Sequence, residues 1–213
     1  MSLVSSDISR GDTLIEVLFA ISVFSLVVVG GLSIMNQGTA AAQRALEITL
    51  VRNEIDAQAE ALRFMNASYI AAYNPNDPDV PLTDLTPARE WQDMVHTIGT
   101  TLPPSTWNSS VCPKDKPITS FIIDTKNAKF MPASPDLLKP AETFAQMRYD
   151  DVTGLVDMAQ GIWIEAYRPD PPTADPSQSR IGYVDFTIRA CWDSIGQSVP
   201  SNVSTLVRLY EPR

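Results

Sequence analysis

The chain has 213 residues, 25 acidic against 16 basic side chains, and a formal charge of −9. That length suits one globular domain plus an appended element, and the charge argues against a chain built to coat phosphate backbones. One His and two distant Cys leave no zinc or iron–sulfur set of usual composition, so no metal or other cofactor is expected. All 17 prolines lie between Pro75 and Pro212, which splits the chain into two physically different halves near Asn74.

Residues 17–35 (VLFAISVFSLVVVGGLSIM) carry no charge. At about 1.5 Å rise per residue these nineteen positions approach the roughly 30 Å of a bilayer's hydrocarbon core. Large apolar side chains cover every side of the segment, as lipid exposure requires. A buried core helix is the alternative, although cores seldom need so long a run. Beyond Met35, Ile48, Val51, Ile55, Ala59, Leu62, Met65 and Tyr69 recur at spacings of three and four, so they share one helical face. Arg44, Glu47, Arg52, Glu54, Asp56, Glu60 and Arg63 fill other positions. One helix is therefore expected from about Thr13 to Tyr73, with Asn74-Pro75 as its stop and Gly30-Gly31 and Gly38 as its weak points.

Immediately before the apolar run stands Arg10-Gly11-Asp12-Thr13-Leu14-Ile15-Glu16. This stretch resembles the processing site of the type IV prepilin family, which includes the pseudopilins of secretion systems. The resemblance is specific over about the first 35 residues and looser along the helix to residue 73. It implies a leader at residues 1–11, cut after Gly11 by a membrane prepilin peptidase, with Asp12 as the new N-terminus. The family usually has an N-methylated phenylalanine there, so Asp12 is a departure that bears on methylation more than on cleavage. Residues 12–35 would then be the transmembrane and filament-core half of the helix, and residues 36–74 its amphipathic half. Glu16 gains a role on this reading. A carboxylate beside a membrane core costs a few kcal/mol unless partnered, and the ammonium freed at residue 12 of one subunit can neutralise Glu16 of its neighbour. An interfacial acid reaching lipid headgroups is the plainer reading of Glu16. Ala40-Ala41-Ala42 also resembles the small-residue site of an ordinary secretory signal, but the apolar run is longer than the usual 7–15 residues. Arg10 and a short leader in the cytoplasm would put everything after Asn36 outside.

Residues 75–213 are expected to form the globular head. An acidic, proline-rich loop (Pro75, Asp77, Pro78, Asp79, Pro81) leaves the helix. Thr86-Pro87 followed by Glu90 reads as a helix start, with the helix ending near Gly99. Residues 118–124 read as a strand paired with residues 129–131 across Lys126-Asn127, and residues 142–148 as a short helix. Strands follow at residues 162–168, 181–192 and 203–210, joined by loops at 169–180 and 193–202. In the second, Val184, Phe186, Ile188, Ala190 and Trp192 alternate with Asp185, Thr187, Arg189 and Cys191, which predicts one buried and one solvated face. The amphipathic half of the helix is the expected cover for the buried one. The fold class is therefore α+β and pilin-like: a long N-terminal helix, transmembrane in its first half, packed by its second half on an antiparallel sheet.

If the head is extracellular, a Cys112–Cys191 disulfide is chemically permitted. Cys191 on the polar face would make it a tie across the sheet exterior; two separate thiols are the alternative. No catalytic constellation stands out. Asp150-Asp151, Asp77/Asp79 and Asp170/Asp175 read as solvated loop acids, His96 has no nucleophile motif near it, and Trp163 and Trp192 read as core. An enzyme is not expected. The resemblance implies a filament subunit serving adhesion, motility or a related surface role. Its implied partners are itself or other pilins, the prepilin peptidase, the pilus assembly machinery and membrane lipid. A secretion pseudopilin, or an anchored extracellular binding domain that never polymerises, are the alternatives. The head carries 12 basic against 18 acidic side chains and no dense basic cluster, so direct nucleic-acid binding is not expected.

Overall fold

A computed structural model describes residues 12–76, 82, 86–98, 110–114, 116–117, 119–168 and 182–212. The chain divides into two compact units, residues 1–45 and 46–213. One α-helix, α1 (Asp12–Ala72), runs through 61 residues without interruption at Gly30, Gly31 or Gly38. It ends as expected just before Asn74-Pro75, where the Asn74 side chain accepts the Asn76 N–H at 3.0 Å and so turns the chain away from helical pairing.

In the first unit every residue from 14 to 39 is exposed. Ser22 and Ser25 donate back to the Leu18 and Ile21 carbonyls, each at 2.8 Å. Such return bonds satisfy a hydroxyl within its own helix, as a segment in lipid needs.

The second unit begins with residues 46–72 of α1. Val51, Ile55, Ala59, Leu62 and Met65 are buried, while Ile48 and Tyr69 are partly buried against the same cluster. This is the stripe read from the spacing, and Arg52, Asp56, Glu60 and Arg63 are exposed opposite it. Helix α2 (Pro87–Ile98) starts where Thr86 caps it, through Thr86 Oγ1 to the Arg89 N–H and its carbonyl to the Glu90 N–H. α2 contributes Trp91 and Met94 to the core.

Strands β1 (Phe121–Asp124) and β2 (Lys129–Pro132) form the expected hairpin. Its turn is held by Asp124, whose carboxylate accepts from the backbone of Lys126 and Asn127 and from the Asn127 amide, and Ala128 takes the left-handed conformation at φ 49°. With β6 (Ile162–Tyr167), β7 (Tyr183–Trp192) and β8 (Ser201–Tyr210) these build a five-stranded antiparallel sheet in the order β2-β1-β6-β7-β8. Phe121, Ile123, Ile162, Ile164, Phe186, Ile188 and Trp192 join the helical stripe in one core. Rings of Trp91 and Phe186 meet edge-on at 5.6 Å. The arrangement is the α+β, pilin-like one: an N-terminal helix packed by its later part on an antiparallel sheet.

Three expectations need correction. Residues 142–148 are not helical, since β4 (Gln146–Tyr149) lies there. It pairs antiparallel with β5 (Val156–Gln160), which pairs parallel with β3 (Leu138–Lys139), giving a second small sheet that the sequence patterns did not reveal. Gly161, at φ +67°, passes the chain from β5 to β6; a Cβ there would lie 2.5 Å from the Cys191 carbonyl oxygen. Secondly, β8 begins at Ser201 rather than 203. The third is the alternate face of β7. It is not simply solvated: Asp185 and Cys191 are buried, as are Ile122, Asp124, Trp163 and Glu165 on β1 and β6. Alternation told which residues are apolar, but a polar side chain with a partner can be buried too. Gly11, the acidic loop at 77–81, Gly99, Ile118 and the loop at 169–181 lie outside the described residues.

Candidate functional site

The first unit presents an apolar surface with one carboxylate in it. Leu14, Ile15, Val17, Leu18, Phe19, Ile21 and Phe24 are each more than half exposed, and Glu16 sits among them. Among the described residues Glu16 has no ion-pair partner. Helix α1 is long and apolar enough to cross a membrane; a signal sequence meets the same test of length and composition. Asp12 is the first described residue of the helix. Gly11 lies outside the described residues, so the structure describes only residues 12–16 of the stretch that resembles a prepilin processing site.

The second unit holds the two cysteines. Cys112 and Cys191 form a disulfide with Cα atoms 5.6 Å apart and a sequence separation of 79. It is not a tie across an exposed sheet surface. Cys191 is 1% exposed and Cys112 packs against the core, so the chain at Cys112 covers that part of the second face of the sheet. Lys116 lies 4.5 Å over the Trp163 ring in the same cover. Trp163 and Trp192 are buried as core residues, and each indole N–H is satisfied: Trp163 donates to Glu165 at 2.8 Å and Trp192 to Glu47 at 3.0 Å.

Three polar residues of α1, of which the periodicity placed only Glu47 off the apolar face, tie the helix to the sheet. Glu47 accepts from Trp192 and from the Ser194 hydroxyl (2.8 Å). Gln58, fully buried, donates its amide to the Ile123 carbonyl at 2.8 Å and accepts the Ile123 N–H at 2.9 Å. Its amide thus takes the part of a strand where β1 and β6 pair only at Phe121–Ile164. Asn66 donates to the Tyr210 carbonyl at 3.2 Å. A polar residue within an apolar stripe is the available sequence signal, and Gln58 beside Ile55, Ala59 and Leu62 carried it. Two ion pairs lie on the second face: Glu165–Arg189 at 3.0 Å and the bidentate Asp185–Arg208 at 2.6 and 2.7 Å. Hydrogen bonding to Asp185 pushes Arg208 above its already high range.

Of the loop acids, Asp150 is exposed and caps a turn, accepting from the Val152 and Thr153 N–H groups and the Thr153 hydroxyl. Those bonds, led by the Thr153 N–H, lower its pKa. His96 is exposed at the rim of a cleft of about 330 Å³ that also includes Tyr69, Tyr73, Gln92 and the Arg168–Glu211 ion pair (2.7 Å). Among the described residues no group of three or more His, Cys, Asp or Glu is placed to hold a metal ion. Comparison with protein-family models, curated proteins and solved structures gives no match.

Proposed function

We propose that the chain is a type IV pilin-like filament subunit, inserted in the cytoplasmic membrane as a precursor and cut after Gly11. It polymerises through its apolar helix into an extracellular filament for adhesion, motility or a related surface role. Its partners are further copies or other pilins, the prepilin peptidase, the assembly machinery and lipid, and it performs no catalysis. The observation that carries this reading is the exposed apolar surface of residues 14–35 with Glu16, which has no ion-pair partner among the described residues, at its start. Such a surface far exceeds what a solvated monomer keeps open, so lipid in the precursor and neighbouring helices in a polymer are its natural surroundings.

Assembly then turns on Glu16. Cleavage makes an ammonium at residue 12, and in a bundle of helices that ammonium neutralises Glu16 of a neighbour. Removing one partner of a buried charge pair costs about 3–5 kcal/mol, repeated at every subunit. Glu16→Ala lengthens the apolar run, so insertion and cleavage should persist while sheared filaments fall to few or none. Normal filament yield from a cell whose only copy carries Glu16→Ala refutes the role. N-terminal sequencing supplies the complementary check: Asp12 at the mature terminus supports the filament subunit, whereas an intact leader favours a membrane-anchored binding domain. A pseudopilin differs in the machinery that it assembles on, and deletion of each candidate assembly system separates the two.

A further inference from the structure

The two edges of the five-stranded sheet are treated differently. At one, β2 has four residues, ends in Pro132, and has its Phe130 N–H taken by Glu90 of α2 at 3.0 Å. Short length, proline and a covering side chain are the usual ways of closing an edge. The other edge, β8, has ten residues and no proline.

The hydrogen-bond parity shows which of its groups point outward. Cys191 of β7 donates its N–H to Gly161, toward β6, so the odd residues of β7 serve β6 and the even ones serve β8. With Val184 opposite Leu209 and Ala190 opposite Val203, the odd residues of β8 hold the ladder to β7, a pattern that Glu211 continues by donating to Gly182 at 2.9 Å. Asn202, Ser204, Leu206 and Arg208 therefore turn N–H and C=O away from the sheet, and no described strand pairs with them. Tyr210 faces the same way, but its carbonyl is occupied by Asn66. The free edge stops there.

We propose that this edge is a docking strand for β8 of a second copy of the chain. The antiparallel register that sets Thr205 opposite its own counterpart pairs all four outward residues, Asn202 with Arg208 and Ser204 with Leu206, and reciprocally. The same register sets Val203 against Val207 on the face toward α1. β-branched and Thr–Thr pairs of this kind stabilise antiparallel neighbours. Residues 202–207 are uncharged, and Arg208, already engaged by Asp185, meets only Asn202. No like charges oppose each other.

The contact is two-fold and closed, so it makes pairs and does not propagate. It also inverts direction. Glu47 bonds Ser194, which bonds Ser201 at the start of β8, and Asn66 bonds Tyr210 at its end, so residues 47–66 of α1 run the same way as β8. Paired copies carry these helical segments antiparallel. Resting on the filament reading, the contact thus joins subunits of two filaments of opposite polarity rather than neighbours within one.

The test uses the full chain in detergent micelles. Thr205→Cys should give a covalent dimer under mild oxidation, whereas Val203→Cys, which has no counterpart opposite itself, should not. Ser204→Pro removes one outward N–H and no bond to β7; added to Thr205→Cys it should cut the cross-link about tenfold or more with thermal unfolding unchanged. Should Ser204→Pro fail to fold, Asn202→Arg sets a like charge against Arg208 and should reduce cross-linking in a way that salt reverses. No cross-link with Thr205→Cys, equal cross-linking with Val203→Cys, or cross-linking indifferent to both edge variants overturns the proposal. Glu16→Ala separates the two readings, because it should remove filaments and leave the Thr205→Cys cross-link intact.

Discussion

Residues 14–39 and residues 46–72 belong to the same helix, α1, yet they place their apolar side chains in opposite circumstances. The earlier segment is apolar on every side and exposed throughout. The later one confines its apolar residues to a stripe, and that stripe is buried with Leu62 and Met65 at 0% exposure. Helical geometry is common to both, so the difference lies in what surrounds each side chain. A stripe can be buried by one sheet, whereas an all-round apolar surface needs lipid or several other helices. Polar residues make the same distinction. In the earlier segment the Ser22 and Ser25 hydroxyls fold back on their own helix; in the later one Glu47, Gln58 and Asn66 reach across to strands.

The largest break in this comparison comes from the disulfide, which belongs to the second unit alone. Closing a loop with a 79-residue separation stabilises by about 4 kcal/mol in the chain-entropy model. Replacing both Cys112 and Cys191 by serine should lower the head's thermal midpoint steeply, read by near-ultraviolet circular dichroism. On the proposed reading the protein should remain in the membrane fraction, because the apolar run of residues 17–35 lies in the other unit; release into the soluble fraction contradicts that reading. A paired substitution sharpens the contrast within the helix. Leu62→Ala empties a fully buried site and should cost about 2–5 kcal/mol of head stability. Leu26→Ala, at a site 75% exposed, should leave the same unfolding curve within about 0.5 kcal/mol.

The parts of the fold legible in the sequence are those with strong periodicity or punctuation. α1 and its stop at Asn74-Pro75, the Thr86-Pro87 start of α2, the β1–β2 hairpin and the apolar residues of β7 follow from spacing and turn chemistry. Other features depend on partners far along the chain. Cys191 reads as a polar-face residue until Cys112 is known to lie over it. Gln146-Met147-Arg148-Tyr149 has no distinct period and becomes β4 by pairing with β5 across a turn that Asp150 caps. Glu47 and Gln58 occupy positions that periodicity alone assigns to solvent or leaves unremarked, and only the sheet supplies their partners. At the candidate site, residues 12–35 and Glu16 were legible because charge in an apolar run is conspicuous. The free edge of β8 was not, since edge or centre is a property of the strand order.

The smallest effect concerns Glu54, on the side of α1 that borders the head. Burial raises its pKa above the ordinary carboxylate range. Tyr149 of β4 lies close enough for the Glu54 and Asp124 charges, after burial, to contribute to the raised pKa of its phenol. A carboxyl that holds its proton more tightly folded than unfolded favours the folded state while protonated in both. That contribution is complete below the unfolded pKa, and it is lost as pH rises through the folded one. At neutral pH the ionised, partly desolvated Glu54 is therefore a burden on the head. Glu54→Gln keeps the size and polar character without the charge, so it should raise the thermal midpoint slightly at neutral pH. The gain should shrink as pH falls through the raised pKa of Glu54, and it should vanish below the ordinary carboxylate range. Arg52→Gln, at an exposed position on the same helix, should show no such dependence. A midpoint difference for Glu54→Gln that stays constant with pH would mean that the charge of Glu54 is compensated in the folded head, and that this border of α1 is as solvated as its outer face.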